Sequence, residues 1–372
     1  MYKWNKYELI AKKFLATILR KQTCKEHYDT ILRQIKLDQE QFKSGDILLT
    51  TKKEDITYFE ALKNFASGLE VFSEDTYMSL AEIFLMIEDH YALKIETKLP
   101  EITLTDKELI EIVREMIKSL SIKEFTQIYD KIANPILHRL NIQKNNLKYT
   151  AGTLQYVGGI TLNDPLFDKS YINIFRNYTI EDAEVLFHES MHAIFYSLMR
   201  SFYTKDINNI YILQELEGQV ASLYAYEYLS QIGFNEEMKQ LKNEYINSIL
   251  TSSFIFILNH VLFATSKHQQ FDLKAAEERI NEQLKIPIIL KPEELSTYLS
   301  IDGYETLTTL ISSLIALEIH EKDSSIYEKM ELLYNLKKDD SIELDENMRK
   351  YNVDFKENNF KTLKKVYEEL HK

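Results

Sequence analysis

Five consecutive residues, His188-Glu189-Ser190-Met191-His192, offer the most readable chemistry in this chain. They spell H-E-x-x-H. On a helix, residues four apart stand on one face, so both imidazoles can reach one ion. Glu189 lies one residue round from His188, placed to take a proton from a water held by that ion. A catalytic zinc keeps three protein ligands and leaves its fourth position open, so a third ligand is required. The chain offers one in Gln214-Glu215-Leu216-Glu217-Gly218, on a second predicted helix running from about Asn209 to Ile232 and stopped by Gly233. Two helical steps turn Glu215 and Glu217 about 200° apart, so only one of the pair can face the metal. Gly218 permits close helix approach beside Glu217. Leu213, Val220 and Ala221 place Glu217 on a buried stripe, where a metal would offset the cost of its charge. The ligands are therefore read as His188, His192 and Glu217 around one Zn2+ per chain, with Glu215 as the rival. Glu189 is the general base.

The element that must carry the motif is written in the surrounding residues. Thr179 and Asp182 form a capping-box-like start, T-I-E-D. Ile180, Ala183, Leu186, Phe187, Met191, Ile194, Phe195 and Leu198 then recur at helical spacing, with no Gly or Pro among them. Before this helix, between Lys148 and Tyr178, the texture changes. Gly152, Gly158, Gly159 and Pro165 fall there, and Tyr149–Ala151, Thr153–Val157 and Ser170–Phe175 read as short strands. The free edge of a strand just before the motif helix could hydrogen-bond an extended substrate. A structural hairpin is the alternative.

The rest of the chain reads as helical. Its 372 residues are 45% hydrophobic and 28% charged, enough for a sizeable core, and only 8 Gly and 5 Pro interrupt them. Thr105-Asp106-Lys107-Glu108 starts a helix with Leu109, Ile112, Val113 and Met116 as its buried stripe. Ile246–Ala264 and Leu307–Ile319 read as buried helices, too polar or too short to span a bilayer. A net charge of −13 argues against nucleic acid as a partner. The single Cys24 excludes an intramolecular disulfide and fits a reducing compartment, and the opening residues lack the pattern of a signal peptide. A cytoplasmic protein with no membrane partner is expected. The fold class is mostly α, with a small β-sheet or hairpin beside the motif helix. An N-terminal helical region covers 1–147 and a catalytic region 148–372.

The segment from Thr179 to Ala193 resembles the zinc segment of the thimet oligopeptidase / oligoendopeptidase F family of metallopeptidases, and the His192-to-Glu217 spacing suits that family. Leu262-Phe263-Ala264 with His268, Gly303-Tyr304-Glu305-Thr306-Leu307-Thr308, and Asn352-Val353-Asp354 resemble weaker family segments. The resemblance implies a helical zinc peptidase acting on short peptides. It also supplies Tyr304 as the first candidate for stabilising the oxyanion, with Tyr298, His260 and His268 behind it. The chain departs from the family at Met191, where a Gly is usual, and at Thr306 and Thr308, where tyrosines are usual. Those lost tyrosines keep a second reading open, a peptidase-like zinc protein that binds peptides or a partner without cleaving them. The intact Glu189 opposes it.

Overall fold

The structure is a computed structural model, and it describes residues 99–102, 104–144, 158–164, 169–199, 207–265, 272–284, 289–290, 303–338 and 348–353, with positions 362, 363, 365, 366 and 368. The boundary expected at 147/148, the two expected strands before position 158 and the N-terminal 98 residues lie outside this set.

Helix α1 (Asp106–Ser119) opens on a complete capping box. Thr105 accepts from the backbone of Glu108, and the Glu108 carboxylate reaches back to Thr105. Its buried stripe, Leu109, Val113, Met116 and Ile117, packs with α2 (Lys123–Ala133) into the core. A 3-10 turn over Pro135–Leu137 leads into β1 (Leu140–Lys144). Then come β2 (Gly159–Asp164) and β3 (Lys169–Arg176). The sheet order is β1-β3-β2, with β1 parallel and β2 antiparallel to β3.

The strand just before the motif helix is therefore the central one. Both its edges are already paired, Leu140 with Ile172 on one side and Gly159 with Ile174 on the other. Residues 170–176 are all buried, as expected of a strand covered on both faces. This corrects the expectation that the strand preceding the helix offers a free edge. Among the described residues the edges of the sheet are β1 and β2.

Helix α3 (Glu181–Met199) carries the motif and is buried on nearly every side, by α1, α2, β2 and β3 and by α4 (Ile207–Gln231). Phe125 of α2 meets Phe195 edge-on at 5.6 Å. The chain then runs through α5 (Asn235–Thr265), α6 (Leu273–Arg279), α7 (Gly303–His320) and α8 (Ile326–Lys338). The two apolar stretches expected as helices lie within α5 and α7, and residues 310–320 are buried throughout. Gly233 ends α4 with φ +118°, a conformation that glycine adopts without cost. The molecule is mostly α, with a small sheet beside the motif helix among the described residues. No helix among the described residues is long and apolar enough to cross a membrane.

The entry into α3 is anchored differently from the expected capping box. The Thr179 hydroxyl makes no hydrogen bond among the described residues. The Asp182 carboxylate instead accepts from the backbone N–H of Asn177 (2.9 Å) and Tyr178 (3.0 Å) and from Arg176 Nε (3.0 Å). Arg176, wholly buried, also donates to Asp106 of α1 at 2.8 Å and lies over the Tyr178 ring. One carboxylate thus ties β3, the turn and α3 together. Replacing Asp182 by Ala leaves a buried guanidinium and two amides short of an acceptor. We expect a loss of about 3–5 kcal/mol in urea unfolding followed by circular dichroism. A loss below about 1 kcal/mol would show that the anchor is dispensable.

Candidate metal centre

The two motif imidazoles converge as helical spacing requires. Their Nε2 atoms lie 3.0 Å apart. Helix α4 crosses them at Gly218, and a Cβ on that residue would stand 2.5 Å from His188 Nε2 and 2.7 Å from His192 Nε2. Only a glycine allows this approach, and the space its missing side chain leaves lies between the two nitrogens.

The two glutamates of α4 flank His192 on opposite sides. Glu215 Oε2 lies 3.9 Å from His192 Nε2, and with the nitrogens of His188 and His192 it forms a set of donor atoms all within 4.8 Å of one another. Glu217 Oε1 lies 3.2 Å from the other nitrogen, Nδ1. Its second oxygen meets the ammonium of Lys337, from α8, as an ion pair and takes no well-formed hydrogen bond. Glu217, expected as the third ligand, has a side chain 4% exposed, and the ammonium of Lys337 stands against its second oxygen. Glu215, 40% exposed, faces the shared side.

The far nitrogens are held by partners that the motif does not announce. His188 Nδ1 lies 2.9 Å from Ser222 Oγ. Ser222 in turn bonds the Gly218 carbonyl at 3.2 Å and the buried Glu184 carboxylate. Its one proton is used there, so it accepts Nδ1–H from His188, and Glu217 accepts Nδ1–H from His192. Both rings thereby present Nε2 to the gap, the arrangement that orients histidines on metals. Helical spacing could have found Ser222, four residues after Gly218, and Glu184, four before His188. Nothing in the sequence marks Lys337.

Charge follows this geometry. Burial and the neighbouring His192 hold His188 far below the usual histidine range, so it is neutral. Burial also works against charge on His192. The Glu217 hydrogen bond and the charges of Glu215, Glu217 and Glu189 outweigh it and raise His192 to about 9. Glu184 is pushed up to about 7, chiefly by burial. Burial also raises Glu189, with contacts from Thr161 easing it back.

Glu189 lies against the sheet. The Thr161 hydroxyl of β2 donates to its carbonyl at 2.8 Å. A Cβ on Gly159 would come within 2.7 Å of its Cγ, so β2 reaches the carboxylate only because that position is glycine. Tyr304 stands in the first turn of α7 and His260 in α5. The side chains of both, and Tyr298 and His268 entirely, lie outside the described residues.

The donor set fits zinc. Two imidazole nitrogens and one partly exposed carboxylate leave room for a fourth, exchangeable ligand. Gly218→Ala would put a methyl group into the gap. We expect divalent-ion binding to be lost in equilibrium dialysis and stability to fall by roughly 1–3 kcal/mol from overpacking. Unchanged binding would show that the ion is held elsewhere.

No family model matches the sequence, and a search of curated proteins also finds no match. Solved structures do match. PZ peptidase A, determined with an inhibitor, superposes with a TM-score of 0.57 at 10% identity, over 81% of this chain and 59% of its own. An X-ray structure assigned to oligoendopeptidase F gives 0.55 at 10% identity, over 87% and 58%. One so assigned from Bacillus anthracis gives 0.51 at 14% identity, over 84% and 56%. The chain thus spans somewhat under two-thirds of the length of each. At these identities the likeness is one of fold: the chain has the fold of the oligoendopeptidase-type peptidases.

Proposed function

We propose that this protein is a zinc-dependent peptidase that hydrolyses short peptides. The observation that carries the reading is the set His188, His192 and Glu215, three donor atoms converging across a gap that Gly218 leaves open, with Glu189 one residue from the first histidine. His188, His192 and Glu215 hold the ion. When bound, zinc supplies a Lewis acid for the scissile carbonyl and lowers the pKa of a water toward about 7.

The remaining work falls to this chain's own groups. Glu189 takes a proton from the attacking water and delivers it to the leaving amine. Its burial favours the neutral form, which suits a carboxylate that must both accept and release a proton near neutral pH. Ser222 and Glu217 keep the two rings turned toward the ion. The edge of β2 without a partner among the described residues, tied to the motif helix through Thr161, would pair with an extended peptide. The tetrahedral oxyanion needs a donor besides the metal, and Tyr304, at the start of the helix packed on α4, is the residue we assign to it.

Two variants test the assignment. Glu189→Gln keeps the ligands and should keep about one zinc per chain by elemental analysis, while hydrolysis of a quenched fluorescent peptide falls by at least about 100-fold. Glu215→Ala should lose zinc and activity together. Full peptidase activity in the first variant, or full zinc content in the second, would overturn this mechanism.

The state of His192 adds a pH dependence. Its pKa of about 9 in the metal-free protein means that zinc must displace a proton from it at neutral pH. Apparent zinc affinity should rise about tenfold per pH unit from pH 7 toward 9 and then flatten, with about one proton released per ion at pH 7. Titration calorimetry in buffers of different ionisation enthalpy measures that release. Finding none would contradict the raised pKa of His192.

A further inference from the structure

Two glutamates with the same chemistry flank one imidazole. Glu215 faces His192 Nε2 at 3.9 Å and Glu217 faces His192 Nδ1 at 3.2 Å. A second acceptor on the same helix could compete for the ion unless something holds it away. What distinguishes the pair is a third element, α8, which brings Lys337 to the free oxygen of Glu217. Both side chains of that ion pair are buried, at 2% and 4% exposure. The ammonium also lies 5.1 Å from the centre of the Phe195 ring, one turn after His192 on α3. Lys337 thus touches both the carboxylate and the helix that carries the histidine.

Resting on the zinc reading above, we propose that Lys337 is a positioning residue for the metal site. It holds the Glu217 carboxylate against the far nitrogen of His192, so that Nε2 faces the ion and Glu215 closes the ligand set. The physical reason is the cost of the alternatives. A buried carboxylate with no counter-charge turns to the nearest cation. A Glu217 turned to the metal releases the ring. The ammonium closes that route and leaves the carboxylate–histidine–metal geometry that orients ligand histidines. Lys337 touches neither the ion nor the substrate in this account and acts wholly through Glu217.

The test is a double-mutant cycle read by zinc affinity, using competition with a chromophoric chelator, and by the visible spectrum of the cobalt-substituted protein. Lys337→Met should weaken zinc binding by about 10- to 100-fold when Glu217 is present. It should have no further effect in a Glu217→Gln background, where the amide oxygen accepts Nδ1–H without a counter-charge. Lys337→Arg should restore affinity and the wild-type cobalt spectrum. An equal effect in both backgrounds, or none in either, overturns the proposal. If Lys337→Met does not fold, Glu217→Gln and the double variant remain. They should bind zinc equally and about 10- to 100-fold more weakly than wild type, and wild-type affinity in both overturns the proposal. A wild-type protein that binds no zinc overturns the metal reading and this one together. Zinc binding that is intact throughout the cycle overturns only the role of Lys337.

Discussion

The structure depends on one close approach, the backbone of α4 against the two imidazoles of α3 at Gly218. Helices with ordinary side chains at their contact pack with axes about 8–10 Å apart. Here the rings themselves form the contact, and the facing position has no side chain. From that constraint the remaining placements follow. The residues three before and one before Gly218 fall on either side of His192, and the residue four after it falls on the far nitrogen of His188. The same device recurs at the other boundary of the site, where Gly159 lets β2 approach Glu189. Two glycines, on different elements, decide how closely helix and strand approach the motif.

Around this contact the buried polar groups are held in pairs and chains. His188 leads through Ser222 to Glu184, and His192 through Glu217 to Lys337. Arg176 and Asp182 hold the entrance of the same helix. Nearby, Ser313 of α7 donates to Gln219 of α4 at 3.1 Å. Such networks in a low-dielectric interior are costly when incomplete and specific when complete. A purely apolar α3 could bury as much surface but could slide or rotate against its neighbours. The polar pairs fix its rotation and hence the direction of its histidines.

Much of this was legible in the residues. The motif, its helix, the end of α4 at Gly233 and the closeness of the helices at Gly218 all follow from spacing and side-chain size. Rotation around α4 was legible too, because Glu215 and Glu217 do lie on opposite sides of His192. Which of them faces the gap was not. Burial marked Glu217 as needing a compensating charge, and a metal was the nearest one visible in the sequence. The structure adds another, Lys337, more than a hundred residues further on, on an amphipathic helix where a lysine signals nothing. The strands were harder to read for a similar reason. Leu140–Lys144 has no strong alternation, and only its register against Ile172–Arg176 makes it a strand.

The separation of Lys337 from the rest of the site bears on how the molecule folds. The two histidines and both glutamates lie on consecutive helices, so their contacts close a short loop and can form early. Lys337 belongs to α8, whose packing against α4 closes a far longer one. Chains emerge from synthesis amino end first. A nascent α3–α4 pair can therefore meet well before the ammonium arrives, with Glu217 still lacking its counter-charge. In that interval the hairpin has its donor atoms but lacks the interaction that sorts them. Competence is expected to come late, when the carboxyl-terminal helices dock, and the rate of that docking should govern how soon new chains acquire a correctly ordered site.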